Sequence, residues 1–522
     1  MEKFIAKFGD RTQGVLSGLD RVLFRGSLRR LTHSQGMKWY LAENNILCKQ
    51  YQDHVKEISQ ELKKAILKPL QQQNVVVRHL FGKDDKEELA RAIAAERGIV
   101  QGDVCAFTVQ EMAPTFQHEK TDMVVRSRPC PTIYLYRIDP QLGWMHARVQ
   151  TYFPFYMHVC INGREWLSRR MDQQRLRYAR QKNCFPWIED VRRAQQLFDE
   201  QLQTNWPELL DPWAERLNPL RKYVFQRYPV EYYWSSFQCE WATDVMFVPG
   251  TLERLEPLLM QHSMLSFSCA DVLQWLGKRL NLDGNIPRTL SQQLQRSFKR
   301  RETGDRAKFV FSGNSIKLYG KAKTAAGDVL RTETLTQQVE IWKTLRPKEG
   351  GPKDDLQWRI MRRGVADMHR RCEISQKANE RCLNSISTVD DSSRFHELTR
   401  TLEQACQYHG RRVRALRLFD PEDHKLLEAV NHGEFWLNGF RNRDIQRLLF
   451  GEGVEPASLS IQEKRRRSAA ISRKLRILRA HGLIQKVQQT HRYQLTPYGR
   501  VAITAVLTID RTSIALLNKA AA

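Results

Sequence analysis

Residues 460–500 read SIQEKRRRSAAISRKLRILRAHGLIQKVQQTHRYQLTPYGR, and this stretch decides the architecture of the chain's last hundred residues. Ser460 and Glu463 stand three apart ahead of an apolar run, the spacing of a capping box, so a long helix is predicted to open here. Ile471, Leu475 and Leu478 recur at the period of one buried helical stripe. His481-Gly482 closes the helix, with Gly482 predicted to take a left-handed cap that a side chain would resist. Leu483 to Val487 predicts a strand, Gln488 to Thr490 a tip, and Arg492 to Leu495 a returning strand. Thr496-Pro497 then starts a closing helix through Thr508.

Working outward, Asp423 to Val430 predicts a first helix entered after Pro421, and Asn442 to Phe450 a second. Gly451, Glu452 and Gly453, then Pro456, separate the second helix from the long third one. Residues 419–522 thus read as a winged helix-turn-helix. This order, with the strings HGLIQKV and HRYQLTPYGR, resembles the winged-helix regulators of the MarR type. The resemblance implies DNA binding, with the third helix in the major groove and the hairpin over the backbone.

Charge points the same way. From Arg441 to Arg500 there are 14 Lys or Arg against 4 Asp or Glu. Lys464, Arg465, Arg466 and Arg467 crowd the start of the third helix, and Arg473, Lys474 and Arg476 follow. Guanidinium groups there suit phosphates and guanine edges. Arg492, on the hairpin, suits a minor groove. Winged helices also dock proteins, so a protein-docking scaffold stays open, as does structured RNA as the ligand.

Further upstream, residues 346–418 predict a basic helical connector after the linker RPKEGGPK. Arg362, Arg363, Arg370 and Arg371 on it are either nucleic-acid contacts or a solvated face. Residues 126–345 predict a central α+β domain. In it Ile133 to Ile138 and Trp144 to Tyr152 alternate as a hairpin, Phe155 to Ile161 follows as a strand, and a helix runs from Arg164. Residues 1–125 predict a mixed, mostly helical domain, with Asp20 to Arg30 turn-broken at Gly26. The fold class is therefore α+β multidomain: a helical N-terminal region, a central α/β layer and a C-terminal winged helix. Across the chain, DRVLFRG from Asp20, WMHARVQTYFPF from Trp144 and NGREWL from Asn162 resemble a group of uncharacterised bacterial proteins that end in a winged helix.

The whole chain of 522 residues carries 84 Lys or Arg against 58 Asp or Glu, a formal net charge of +26. Such an excess informs partners rather than fold, and a nucleic acid is the leading one. A hydrophobic fraction of 41% supports several cores and excludes wholesale disorder. The most apolar late stretch, Val501 to Ile509, is far too short to cross a membrane, so no membrane partner is expected. Ten cysteines without a C-x-x-C pair argue against a zinc finger and a disulfide framework, and a reducing cytoplasm is the expected location.

Three constellations bear on chemistry. In WMHARVQT, His146, Arg148 and Gln150 share one strand face, suited to a phosphate or base or simply an exposed sheet face. Glu240 and Asp244, four apart, together with Glu333 could hold Mg2+ for phosphodiester cleavage, or serve as ion-pair partners for arginines. Lys317, Tyr319 and Lys321 alternate onto one face beside Arg331 and Glu333, a pattern similar to strands of rolling-circle replication initiators, whose tyrosine attacks a DNA phosphate. The His-x-His pair of those enzymes is absent from this sequence. The expectation is a nucleic-acid-binding component of a ribonucleoprotein or mobile element, with DNA on the winged helix and RNA or a single strand on a central basic surface. The alternatives are a metal-dependent nuclease or replication initiator, in which Mg2+ would be the cofactor, and the docking scaffold.

Overall fold

The computed structural model describes residues 1–81, 84–120, 122–266, 272, 275, 295–301, 304–348, 351–352, 354–387, 394–432, 435, 439–450, 460–487 and 490–512. The predicted break at 451–456 and Gln488 and Gln489 of the hairpin tip lie outside the described residues. The strands in chain order are β1 (Thr12–Leu28), β2 (Val76–His79), β3 (Gly102–Glu119), β4 (Asp122–Asp139), β5 (Gly143–Gln150), β6 (Met157–Asn162), β7 (Tyr178–Ala179) and β8 (Trp187–Ile188). They continue with β9 (Tyr232–Phe247), β10 (Gln295–Lys299), β11 (Arg306–Phe311), β12 (Asn314–Thr324) and β13 (Gly327–Thr336). Three short hairpins follow: β14 (Lys343–Arg346) with β15 (Gln357–Ile360), β16 (Cys406–Tyr408) with β17 (Arg411–Val413), and β18 (Ile484–Lys486) with β19 (Tyr493–Leu495).

The chain forms two compact units, each assembled from separated stretches. One comprises Met1–Val15, Thr243–Thr334 and Ile374–Ala522, the other Leu16–Ala242 and Leu335–Glu373. In the second, the strand order is β9-β1-β6-β5-β4-β3-β2. The ladders from β1 to β3 are antiparallel and β2 joins β3 in parallel, so the sheet is mixed and the class α+β. In the first unit the order is β10-β11-β12-β13-β9.

The first 125 residues are mixed rather than mainly helical. Helices Glu2–Phe8, Ser34–Glu43, Tyr51–Gln72 and Lys86–Glu96 share them with β1, β2 and β3. Val55, Ile58, Leu62, Ile66 and Leu70 form the buried stripe of the third helix, as its period predicts. The expected break at Gly26 does not occur, because Gly26 lies inside β1. A Cβ there would come within 2.8 Å of Met157 Cγ and 2.9 Å of Trp234 Cζ3, so glycine serves close packing, not a turn.

The motifs DRVLFRG and NGREWL meet in the second unit. The Asn162 side chain caps helix Gly163–Gln173 by accepting from the N–H groups of Arg164 (2.9 Å) and Glu165 (3.1 Å). Arg164 is then fully buried, 3.4 Å from Asp20 of β1. Phe153 and Phe155 are buried, with ring centroids 4.5 Å apart.

The connector is not uniformly helical. It holds the hairpin β14/β15 and helix Met368–Ile386. The last hundred residues contain helices Pro421–Val430, Asn442–Phe450, Ile461–Ala480 and Pro497–Arg511 with hairpin β18/β19 before the last. Leu426, Leu427, Ile445, Ile471, Leu475, Leu478, Ile503 and Val506 join their core.

Candidate nucleic-acid interface

Helix Ile461–Ala480 begins as its sequence predicts, with Ser460 Oγ accepting from Glu463 N at 3.2 Å. Glu463 does not return the bond that a full capping box requires. Its carboxylate instead accepts from Arg467 Nε at 3.1 Å. At the far end Gly482 adopts φ +70°, Gly482 N donates to Arg479 O, and Leu483 N donates to Leu478 O, forming a Schellman closure.

Ile471, Leu475 and Leu478 are buried on one face of this helix. Arg465, Ala469, Ser472, Arg473 and Arg476 are exposed on the opposite face. Small residues between arginines let the helix axis approach a polyanion closely while guanidiniums reach out on both sides. Among the described residues, no ion pair joins Lys464, Arg465, Arg473 or Arg476 to a carboxylate. Arg466 lies 4.0 Å from Glu463 and is 83% exposed. Two predicted contacts are more constrained: Arg467 lies over the Phe450 ring beside Glu463, and Lys474 pairs with Glu422 at 3.2 Å.

The neighbouring elements hold the helix in place. The Asn442 amide donates to Ser468 O and Ser472 Oγ, both at 2.9 Å, fastening helix Asn442–Phe450 to it. Phe440 and Tyr493 exchange two main-chain bonds of 2.8 Å, tying the hairpin to the segment before that helix. Arg492 sits at the hairpin's turn, its N–H donated to Thr490 Oγ1 at 3.1 Å.

The connector arginines are engaged within the chain. Asp367, almost fully buried, takes Arg362 at 3.2 Å and Arg370 at 2.9 Å, while Arg363 pairs with Glu340 at 2.8 Å. Arg371 is buried and bonds Thr336 and Ser236, so it is structural and not a nucleic-acid contact.

The expected metal triad of Glu240, Asp244 and Glu333 does not form. Asp244 is 1% exposed, and both its oxygens are taken by Arg331 at 2.6 and 2.7 Å. Glu333 accepts from Lys317 Nζ and, at 2.6 Å, from Tyr319 Oη. Glu240 accepts from Gln238 Nε2 at 3.3 Å. Among the described residues no group of three His, Cys, Asp or Glu is placed to hold a metal ion. Tyr319 is itself 5% exposed, with Arg301 4.7 Å and Lys321 6.0 Å from its ring centroid, which does not suit a nucleophile that must reach a strand. The sequence did bring Lys317, Tyr319 and Glu333 together correctly, but as a buried polar network.

On β5, Gln150 is buried and donates to the carbonyls of Pro114 and Tyr152, both at 3.1 Å. It is a structural clamp rather than a ligand contact. The His146 ring lies beside those of Tyr134 and Tyr136, and burial, then Arg21 and Arg148, bring its pKa down to about 3. A neutral imidazole adds no positive charge toward a phosphate. Arg148 remains partly exposed, held by Glu111 and by Tyr134 Oη at 2.8 Å. Glu111, Arg25 and His158 accompany it, and the sequence did not group them with it, because β1 joins the row only by pairing with β6, and β3 only by pairing with β4.

Neutral histidines give the protein an acid-sensitive stability. His262 is also brought to about 3, by burial and then by Arg500 and Lys7, and His158 lies well below its ordinary range for similar reasons. Above about pH 6.5 both folded and unfolded histidines are neutral. Below it the unfolded chain takes up protons that the folded chain refuses until about pH 3. Stability should therefore fall by about 2 kcal/mol per histidine between pH 6.5 and 5. Urea unfolding at pH 7, 6 and 5 checks this, and constant or rising stability would refute it.

With this geometry in view, comparisons of the chain with protein-family models, curated proteins and solved structures returned no match.

Proposed function

We propose that the protein binds nucleic acid, with residues 419–522 acting as a winged helix that seats Ile461–Ala480 in the major groove of duplex DNA and lays hairpin β18/β19 along the backbone. The observation that carries the reading is the face bearing Arg465, Ala469, Ser472, Arg473 and Arg476, opposite a stripe that is wholly core. Arg466 flanks it, and Lys464 is exposed in the helix's first turn, in line with the stripe but beyond its buried part. The order of three helices, hairpin and closing helix supports the module assignment, as does the junction of Phe440 with Tyr493. A component of a ribonucleoprotein or mobile element, rather than a simple repressor, suits a chain with some 400 residues ahead of this module.

Binding of a labelled duplex should weaken steeply as salt rises, because each neutralised phosphate releases a counterion. Affinity that is insensitive to salt would overturn the proposal. Two features favour binding over catalysis by the residues singled out above: two of the three carboxylates considered for metal binding, Asp244 and Glu333, are committed to Arg331, Lys317 and Tyr319, and Tyr319 is buried.

A further inference from the structure

A second site lies on the sheet of the second unit, and it is independent of the helix just described. The register places Arg25 of β1 opposite His158 of β6, and His158 opposite Arg148 of β5. Two guanidiniums with a neutral imidazole between them thus stand in one row across adjacent strands, with cross-strand neighbours on the order of 5 Å apart. Tyr134 of β4 extends the row beyond Arg148.

A cavity of about 210 Å3 opens over this row, lined by Arg25, Arg148, His158, Tyr156 and Phe237 and bordered by Met112 and Pro114. Met112 is 65% exposed, so the cavity reaches solvent. By the volume of liquid water it holds about seven molecules, which suits a small charged group and what is attached to it, not a whole drug-sized ligand.

The polar groups here are incompletely satisfied in a particular way. Arg25 stacks on the Tyr156 ring at 3.6 Å, and its Nε is buried without a hydrogen-bond partner among the described residues. The hydrogen bonds of Arg148 to Glu111 and Tyr134 both leave from one terminal nitrogen, so among the described residues its other edge is uncommitted. Among the described residues Glu111 is the one carboxylate lining the cavity, and it pairs with Arg148 and, at 3.5 Å, with Lys86. Like charges this close disfavour one another: the Arg25 pKa is lowered by burial, raised in part by Tyr156, and lowered again by Arg148 and Arg363. An anion with two or more oxygens would relieve that repulsion and accept from both forks.

We infer that this cavity binds a phosphomonoester, its oxygens bridging Arg25 and Arg148 over His158 and its ester substituent lying toward Phe237 and Met112. A monoester carries close to two negative charges at neutral pH and presents three acceptor oxygens, matching two guanidiniums better than a carboxylate does. Two sources share this chemistry: a small sugar phosphate and the 5′-phosphate end of a nucleic-acid strand.

The test is isothermal titration of the full chain with four probes: ribose 5-phosphate, ribose, and one ten-nucleotide single strand with a 5′-phosphate or a 5′-hydroxyl. Ribose 5-phosphate is expected to bind and ribose not. Arg25→Gln and Arg148→Gln should each weaken ribose 5-phosphate at least tenfold. Arg25 stacks on Tyr156 and, among the described residues, is held by no carboxylate, so Arg25→Gln should fold, which thermal melting checks. Should Arg148→Gln unfold, Arg25→Lys keeps the charge and loses the fork, and an intermediate loss is expected from it. A phosphorylated strand that exceeds its hydroxyl twin in the natural protein, but not in Arg25→Gln, identifies a strand end as the source; equal strands with ribose 5-phosphate bound identify the small ester. The inference is overturned if neither phosphorylated probe exceeds its unphosphorylated twin, or if binding is unchanged in folded Arg25→Gln.

Discussion

A chain carrying Arg465→Ala, Arg466→Ala, Arg473→Ala and Arg476→Ala together should lose about 100-fold or more in affinity for duplex DNA at physiological salt. These positions are exposed, on a helix whose opposite face is buried against the module's core. Alanine is the best helix former, so the fold should survive and the melting temperature should stay within a few degrees. The loss comes from two sources. Phosphate contacts contribute through counterion release, and any guanine contact adds about 1–3 kcal/mol. Anisotropy titration of a labelled duplex reads the effect. Unchanged affinity in a folded variant would assign the module to protein docking instead.

The second large effect is on stability. Asp244→Ala should cost about 3–5 kcal/mol, because it leaves the Arg331 guanidinium charged and without its carboxylate where neither side chain exceeds 1% exposure. The size of the loss reflects a buried guanidinium deprived of the Asp244 carboxylate rather than the net worth of the pair. Replacing both residues with apolar ones, Asp244→Leu with Arg331→Met, should therefore recover much of it. Denaturant unfolding of the single and double variants distinguishes this from catalytic importance. A single variant as stable as the natural protein would mean that the pair is not buried as described.

The two effects mark what the sequence could and could not reveal. The third helix of the C-terminal module was legible because its signals are local. Ser460 and Gly482 are set by main-chain geometry, and Ile471, Leu475 and Leu478 by a period of 3.6. Its arginines were legible as a concentration of charge, and the fold sorts Arg465, Arg473 and Arg476 onto the exposed face while engaging Arg467 and Lys474. The central strands were legible as strands, but not their partners. β13 is buried at nearly every position, so Arg331, Thr332, Glu333 and Thr334 look like a polar surface in sequence and are interior in the fold. A period of two sorts side chains onto faces, but it does not say that both faces are covered.

The carboxylates illustrate the same limit. Glu240, Asp244 and Glu333 were grouped by type and spacing, whereas the fold gives Asp244 and Glu333 basic partners. In a chain with 84 Lys or Arg, an ion pair is the commoner fate of an interior carboxylate, and Asp367, Glu111 and Asp20 repeat it. Gly26 failed differently. Glycine signals a turn locally, but here it leaves room for Met157 and Trp234, which the sequence places more than a hundred residues away.

The proposed DNA binding depends on the exposed arginines of one helix facing a phosphodiester backbone. The slope of log affinity against log salt for duplex DNA measures that most directly. With about five phosphate contacts from Lys464, Arg465, Arg466, Arg473 and Arg476, a slope of about −4 to −5 is expected, falling toward zero in the four-arginine variant. A flat line for the natural protein, or a slope that the four substitutions leave unchanged, would contradict it.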